Sequence, residues 1–154
     1  MRLTQYTDYS LRVLIYLTAQ KEDQLVNIKE IAEVYQISKN HLMKVIHELG
    51  KLDVIKTIRG RNGGIKLAKA PEEINVGELI RKTEEDFYLV ECFDSSNNSC
   101  IISQVCRLKG VLNEAMQAYF KVLDQYTLAD LTTNRHQLQH LFSNQESDHI
   151  SPKA

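Results

Sequence analysis

The sequence predicts a mainly α-helical fold with one small β-hairpin, arranged as a winged helix-turn-helix followed by a long C-terminal helix. Three observations predict it. Helix-capping residues followed by apolar stripes at helical spacing recur along the chain, and two short alternating segments flank an Asn-Gly turn. An apolar stripe at i, i+3, i+4 and i+7 then runs from Cys106 to about Tyr126.

Taken in order, Tyr6 through Ala19 is apolar on more than one side (Tyr6, Tyr9, Leu11, Val13, Leu14, Ile15, Leu17), the pattern of a helix packed against several neighbours. Asn27 precedes Ile28 with Glu30 three residues on, and Val26 and Ile31 can staple the entering chain, so a short helix runs to about Tyr35. After Gln36-Ile37, Ser38 caps a second helix whose stripe is Leu42, Val45, Ile46 and Leu49, ending near Leu52. Val54–Ile58 and Ile65–Leu67 alternate around Arg59-Gly60-Arg61-Asn62-Gly63-Gly64, a hairpin signal. Asn75 with Glu78 repeats the capping pattern after the Pro71 loop, and Thr127, between Tyr126 and Leu131, marks the last helix start. Beyond about Phe142 the chain is polar and irregular, so 143–154 reads as a flexible tail.

Two helices joined by a short break form a helix-turn-helix, a motif many folds contain; the basic hairpin behind it makes a wing. Charge points the same way. Residues 1–82 hold 14 Lys and Arg against 10 Asp and Glu, whereas residues 83–154 hold 5 against 10. Clustered positive charge attracts a polyanion, because neutralising phosphates releases condensed counterions, although a solvated surface shows the same composition. In a winged helix-turn-helix the start of the second helix enters the major groove, which puts Lys39, Asn40, Met43, Lys44 and His47 at the base edges. Asn40 carries the amide that pairs bidentately with adenine, and Lys39 and Lys44 suit guanine or phosphate. Arg59, Arg61 and Asn62 suit a wing tip against the phosphate backbone.

Three cysteines, Cys92, Cys100 and Cys106, follow the wing, with Ser95-Ser96-Asn97-Asn98-Ser99 between the first two. An odd number argues against a disulfide framework and for metal or redox chemistry. The gaps are wider than the two to four residues usual between paired zinc ligands, though a Cys₃His zinc site stays open with five histidines in the chain. An iron–sulfur cluster has corners farther apart and accepts thiolates from a looser loop. Three unlinked thiols are the plain alternative. A 4Fe–4S cluster held by three cysteines lacks one ligand, which a carboxylate, a histidine, water or a small molecule could supply; Asp94 is within the loop, but the expected ligand is Asp8, carried over the partner's loop by a dimer. Cys106 stands at the start of the long helix, whose positive end suits an anionic sulfur.

Leu108, Val111, Leu112, Ala115, Met116, Tyr119, Phe120 and Leu123 form the stripe of that helix, about 30 Å long at ~1.5 Å per residue. A second copy of the same helix is its natural partner, and a two-fold dimer sets two recognition helices ~34 Å apart on a palindromic duplex. The organisation expected is 1–84 DNA binding, 85–106 cluster loop and 107–142 dimerisation helices. No apolar run reaches the ~18 residues of a membrane span, and the first residues lack the apolar core of a signal peptide, so a cytoplasmic protein is expected. Nothing supplies a general base beside a substrate cleft. A metal-dependent enzyme built on the cysteines with His136 and His140 is therefore disfavoured.

On Leu3-Thr4-Gln5-Tyr6-Thr7-Asp8-Tyr9-Ser10-Leu11-Arg12, Ser38 through Ile46, Arg59-Gly60-Arg61-Asn62-Gly63-Gly64-Ile65, the three cysteines and Tyr126-Thr127-Leu128-Ala129-Asp130-Leu131, the chain resembles the Rrf family of winged-helix repressors. The match covers residues 1 to about 132 and is strongest to its nitric-oxide-sensitive branch. The resemblance implies a homodimer with one cluster per subunit, 4Fe–4S or alternatively 2Fe–2S, ligated at Cys92, Cys100 and Cys106. It also implies repression of nitric-oxide defence or nitrogen-oxide respiration genes until nitric oxide attacks the cluster. The iron–sulfur assembly branch carries a histidine soon after its third cysteine; here Arg107-Leu108-Lys109 follows Cys106, which disfavours that branch. A regulator sensing iron–sulfur status, iron or a thiol metabolite is the alternative.

Overall fold

The computed structural model describes residues 2–148, with residues 146–148 described by backbone alone. Gln5–Ala19 form α1, Ile28–Tyr35 α2, Lys39–Lys51 α3, Ile55–Ile58 β1, Gly64–Leu67 β2, Val76–Thr83 α4, Arg107–Leu123 α5 and Arg135–Asp148 α6. Short 3₁₀ turns stand at Pro71–Glu73, Glu91–Phe93 and Asp130–Thr132.

The caps expected for α2, α3 and α4 are made. Asn27 accepts from the Lys29 N–H at 2.9 Å, Ser38 from the His41 N–H at 3.3 Å, and Asn75 from the Glu78 N–H at 2.9 Å. Thr4 caps α1 in the same way through the Thr7 N–H. Between α2 and α3 the chain reverses at Gln36, which takes a left-handed conformation (φ 53°) where glycine is more usual.

α1 is the centre of the molecule. Val13, Leu14 and Ala19 are completely buried, and they share one cluster with Ile31 and Val34 of α2, Leu42, Val45, Ile46 and Leu49 of α3, and Ile55 and Ile65 of the hairpin. β1 and β2 pair antiparallel from Ile55 opposite Leu67 to Ile58 opposite Gly64. The α1–α2 loop adds a third rail: Val26 donates to Ile65 O at 3.0 Å and accepts from the Ile65 N–H at 2.8 Å. Gly64 lies so flat against this loop that a Cβ would come within 2.7 Å of Val26 O, whereas Gly60 is needed for its positive φ (116°) in the turn.

The C-terminal third differs from the expectation in two ways. Thr127 does not start the last helix. Its N–H and hydroxyl both donate to Asp130, at 2.7 and 2.8 Å, and open only the 3₁₀ turn; α6 begins at Arg135. The Thr132 hydroxyl turns back onto Leu128 O and Ala129 O, and the β-branched pair Thr132-Thr133 ends the turn. The expected irregular tail is helical through Asp148, while the rest of 143–154 lies outside the described residues.

Nor do α5 and α6 form one unit. α6 returns to the winged domain, where Phe142 is buried against Tyr16 and Tyr35 (ring centroids 4.7 and 5.8 Å). Arg135 donates to Ala19 O at 2.9 Å and to Gln20 O, and Gln139 also donates to Ala19 O, so α6 occupies carbonyls that the end of α1 leaves unpaired. α5, in contrast, contains no buried residue. Its C-terminal end is held to α4 by Arg81, which makes two bonds to Asp124 (2.6 and 2.8 Å) and lies 4.2 Å over the Phe120 ring. No helix among the described residues is long and apolar enough to cross a membrane.

Candidate nucleic-acid interface and cysteine segment

α3 buries Leu42, Val45, Ile46 and Leu49, and this fixes its opposite side as the one that faces solvent. Lys39, Asn40, Lys44 and His47 are all exposed there, with Met43 among them. Arg59, Arg61 and Asn62 are exposed in the turn between Ile58 and Gly64, the last pair of the hairpin. The basic stretch is not uniform. Glu48 holds Lys51 at 2.7 Å and Asp23 holds Lys66 at 2.6 Å, whereas among the described residues no ion pair engages Lys39, Lys44, Arg59 or Arg61. Positive charge without an ion pair therefore stands on the expected reading helix and wing tip, as it does at Lys56 and Lys69 of the same stretch, and such charge attracts phosphate.

The connection from α4 to α5 carries the cysteines. It leaves the winged domain at a fixed point: the Thr7 hydroxyl donates to Thr83 Oγ1 at 2.9 Å in a buried contact, and Thr4 donates to Glu84 through its N–H and its hydroxyl at 2.8 and 2.9 Å. Cys92 falls in the 3₁₀ turn Glu91–Phe93, and Cys106 is the N-cap residue of α5. All three thiols are free and half-buried. Cys92 and Cys106 line one open groove with Phe87, Phe93, Met116 and Phe120; Cys100 is outside that lining.

The loop between Cys92 and Cys100, without apolar periodicity in sequence, is ordered by its own polar side chains. Glu91 accepts from the Ser99 N–H and, at 2.6 Å, from the Ser99 hydroxyl. Asp94 accepts from the Ser96 N–H (2.9 Å) and hydroxyl (2.6 Å), and the Cys100 N–H donates to the Asn98 side chain at 3.1 Å. The bonds from Ser99 hold the Glu91 carboxyl below its usual range, and those from Ser96 do the same for Asp94. Sequence reasoning missed these clasps, for which a serine eight residues from a glutamate is no motif.

As donors, the residues fit an iron–sulfur group: three free thiols, neither sealed in the core nor fully in solvent, two of them in a groove of mixed apolar and polar lining and one of those two at a helix N-terminus. Among the described residues no three of His, Cys, Asp and Glu are gathered into a metal-holding cluster. Asp8 is in the first turn of α1, where Arg12 donates to both its oxygens at 3.1 and 2.8 Å. His136 and His140 are exposed on α6.

Comparison with known proteins agrees with this arrangement. Residues 3–134 match the model of the Rrf2 family, described as "Iron-dependent Transcriptional regulator". The chain is 63% identical to the HTH-type transcriptional regulator NsrR of Bacillus licheniformis, across 93% of this chain and 100% of that protein. It is 60% identical to the NsrR regulator of Bacillus subtilis, across 95% and 100% of the two chains. Among solved structures, T. potens IscR superposes with a TM-score of 0.69 at 27% identity, covering 90% of this chain and 91% of that one. These relatives are named as regulators and not as enzymes. With a winged helix-turn-helix, a basic reading face and a family match over most of its length, the chain belongs to the Rrf2 family of DNA-binding transcriptional regulators.

Proposed function

We propose that this chain is a cytoplasmic repressor that binds palindromic double-stranded DNA as a homodimer, carries one iron–sulfur cluster per subunit, and releases DNA when nitric oxide reaches that cluster. The observation that carries the reading is the position of three free cysteines in the segment that joins α4 to α5, in a chain 63% identical to an NsrR regulator. Cys92, Cys100 and Cys106 would hold the cluster, 4Fe–4S with 2Fe–2S as the alternative, and Asp8 of the partner subunit would be the fourth ligand. When bound, the cluster supplies iron that nitric oxide attacks.

The chain's own residues do the rest. Lys39, Asn40, Lys44 and His47 meet the major groove, and Arg59, Arg61 and Asn62 hold the backbone beside it. Leu108 and Val111, each 60% exposed, pair α5 with its copy. α5 is a rod of about 25 Å with Cys106 at one end and the Arg81–Asp124 pair at the other, so a displacement of Cys106 reaches α4 and alters the spacing of the two α3 helices. In this division 1–84 binds DNA, 85–106 holds the cofactor, and 107–123 dimerises. The genes released would serve nitric-oxide detoxification or nitrogen-oxide respiration.

The test is operator binding by anaerobically prepared protein before and after stoichiometric nitric oxide. Loss of binding is expected, and equal affinity in the two states rejects the proposal. The family's description as iron-dependent favours a second reading, in which iron or iron–sulfur status is the signal. Operator loss on chelation combined with full retention after nitric oxide would select it.

A further inference from the structure

Among the described residues, Glu91 makes the side-chain contact that spans the two flanks of the cysteine loop. It precedes Cys92, and its carboxylate accepts from Ser99, which precedes Cys100. One side chain thus ties the residue before the first cysteine to the residue before the second, and closes the polar loop between them. The remaining bonds of the loop are local. Asp94 reaches two residues to Ser96, Asn98 two residues to Cys100, and the Asn98 amide donates to Ser103 Oγ at 3.0 Å. Without the Glu91 contact those local turns remain but nothing fixes how far Cys100 lies from Cys92.

We propose that Glu91 is the positioning residue of the cysteine site, a clasp that sets the relative placement of Cys92 and Cys100 before any metal is bound. The inference rests on the reading of these cysteines as cluster ligands. Its physical basis is loop closure: a flexible polar loop must lose conformational freedom when its two ends are brought to one centre, and a loop already closed by a carboxylate has lost that freedom in advance. Two donors on one carboxylate, one of them a backbone N–H, make the clasp stronger than a neutral pair would be. Glu91 is not offered as a ligand; its charge is engaged by the loop, as an outer-shell group orients the ligands beside it.

The test uses the full chain in two states. In the metal-free protein, amide NMR reads the clasp directly: Ser99 N–H bonded to a carboxylate resonates well downfield, and Glu91→Ala moves it to the unstructured range while leaving the amides of α1 and α3 unchanged. In protein loaded anaerobically with iron and sulfide, Glu91→Ala loses iron to a chelator about tenfold faster than the parent and Glu91→Gln is intermediate, all three with the same visible absorption envelope. Ser99→Ala has a similar effect, and the double variant is no worse than Glu91→Ala alone, because both remove one contact. An unshifted Ser99 amide, wild-type iron loss in Glu91→Ala, or fully additive single effects would overturn the clasp. An altered absorption envelope in Glu91→Gln would overturn it in favour of direct ligation. If the parent takes up no iron, the proposed function falls while the Ser99 amide still decides whether the loop is clasped.

Discussion

α1 and α5 are nearly equal in length, 15 and 17 residues, and each carries a run of large apolar side chains, yet one buries Val13, Leu14, Tyr16, Leu17 and Ala19 and the other buries nothing. Around α1 the chain completes its own core: α2, α3, the hairpin, α4 and α6 surround it, and Arg135 and Gln139 close its end. Around α5 it does not. Val105, Leu108 and Val111 stand 81%, 60% and 60% exposed next to the free thiols, and only the far end is fastened, through Arg81 and Phe120. Burying apolar surface stabilises by roughly 25 cal/mol per Å², so the first region draws that stabilisation from its own chain, while the second leaves apolar surface that the proposed dimer would cover.

That contrast is open to direct attack. The largest effect expected is in the core: Leu14→Ala removes a completely buried side chain and costs about 2–5 kcal/mol of unfolding free energy in urea, read from the transition midpoint. A Leu108→Asp/Val111→Asp variant should leave that midpoint nearly unchanged, yet sediment as a monomer at concentrations where the parent is expected to sediment as the proposed dimer. If it unfolds the chain, the two regions are not independent. Within the DNA-reading face, Asn40→Ala should weaken a preferred duplex by about 1–3 kcal/mol and relax base preference at one position. Arg61→Ala should weaken all sequences alike and flatten the salt dependence by about one unit of slope.

The smallest effect belongs to the junction. Arg81 holds the Asp124 carboxyl below its usual range, chiefly through their hydrogen bonds. A carboxylate lowered in the folded state contributes stability that is complete above the unfolded value, about 3.9, and is lost as pH falls through the folded one. Asp124→Asn should therefore be slightly less stable than the parent at pH 6, and the gap should close as pH falls below the unfolded value and through the lowered folded one. Both side chains are near half exposed, so added salt should shrink the gap.

The legibility of the sequence follows the same divide. Asn27, Ser38 and Asn75 announce their helices because a cap acts on residues two or three positions away, and the stripe of α3 names its buried and exposed sides at once. Thr127 imitates such a cap, but its hydroxyl donates to Asp130 and the turn stops at Thr132-Thr133, a competition between side-chain and backbone bonds that spacing does not decide. Long-range contacts were out of reach: Val26 pairing with Ile65, α6 docking on α1, and Glu91 clasping Ser99 depend on three-dimensional neighbours. For the cysteines, number and spacing pointed to a metal site. In the single chain Cys100 is off the groove shared by Cys92 and Cys106, and Asp8 pairs with Arg12, positions that spacing along the sequence does not decide.

The most direct test of this account is the affinity of one protein for one operator duplex, measured without oxygen, with iron content determined on the same sample, in the iron-loaded parent and in a Cys106→Ser variant that folds with the parent's urea midpoint. Tight binding by the loaded parent and at least tenfold weaker binding by the variant is the predicted result. Equal binding by both would mean that the cysteine segment does not govern the winged domain.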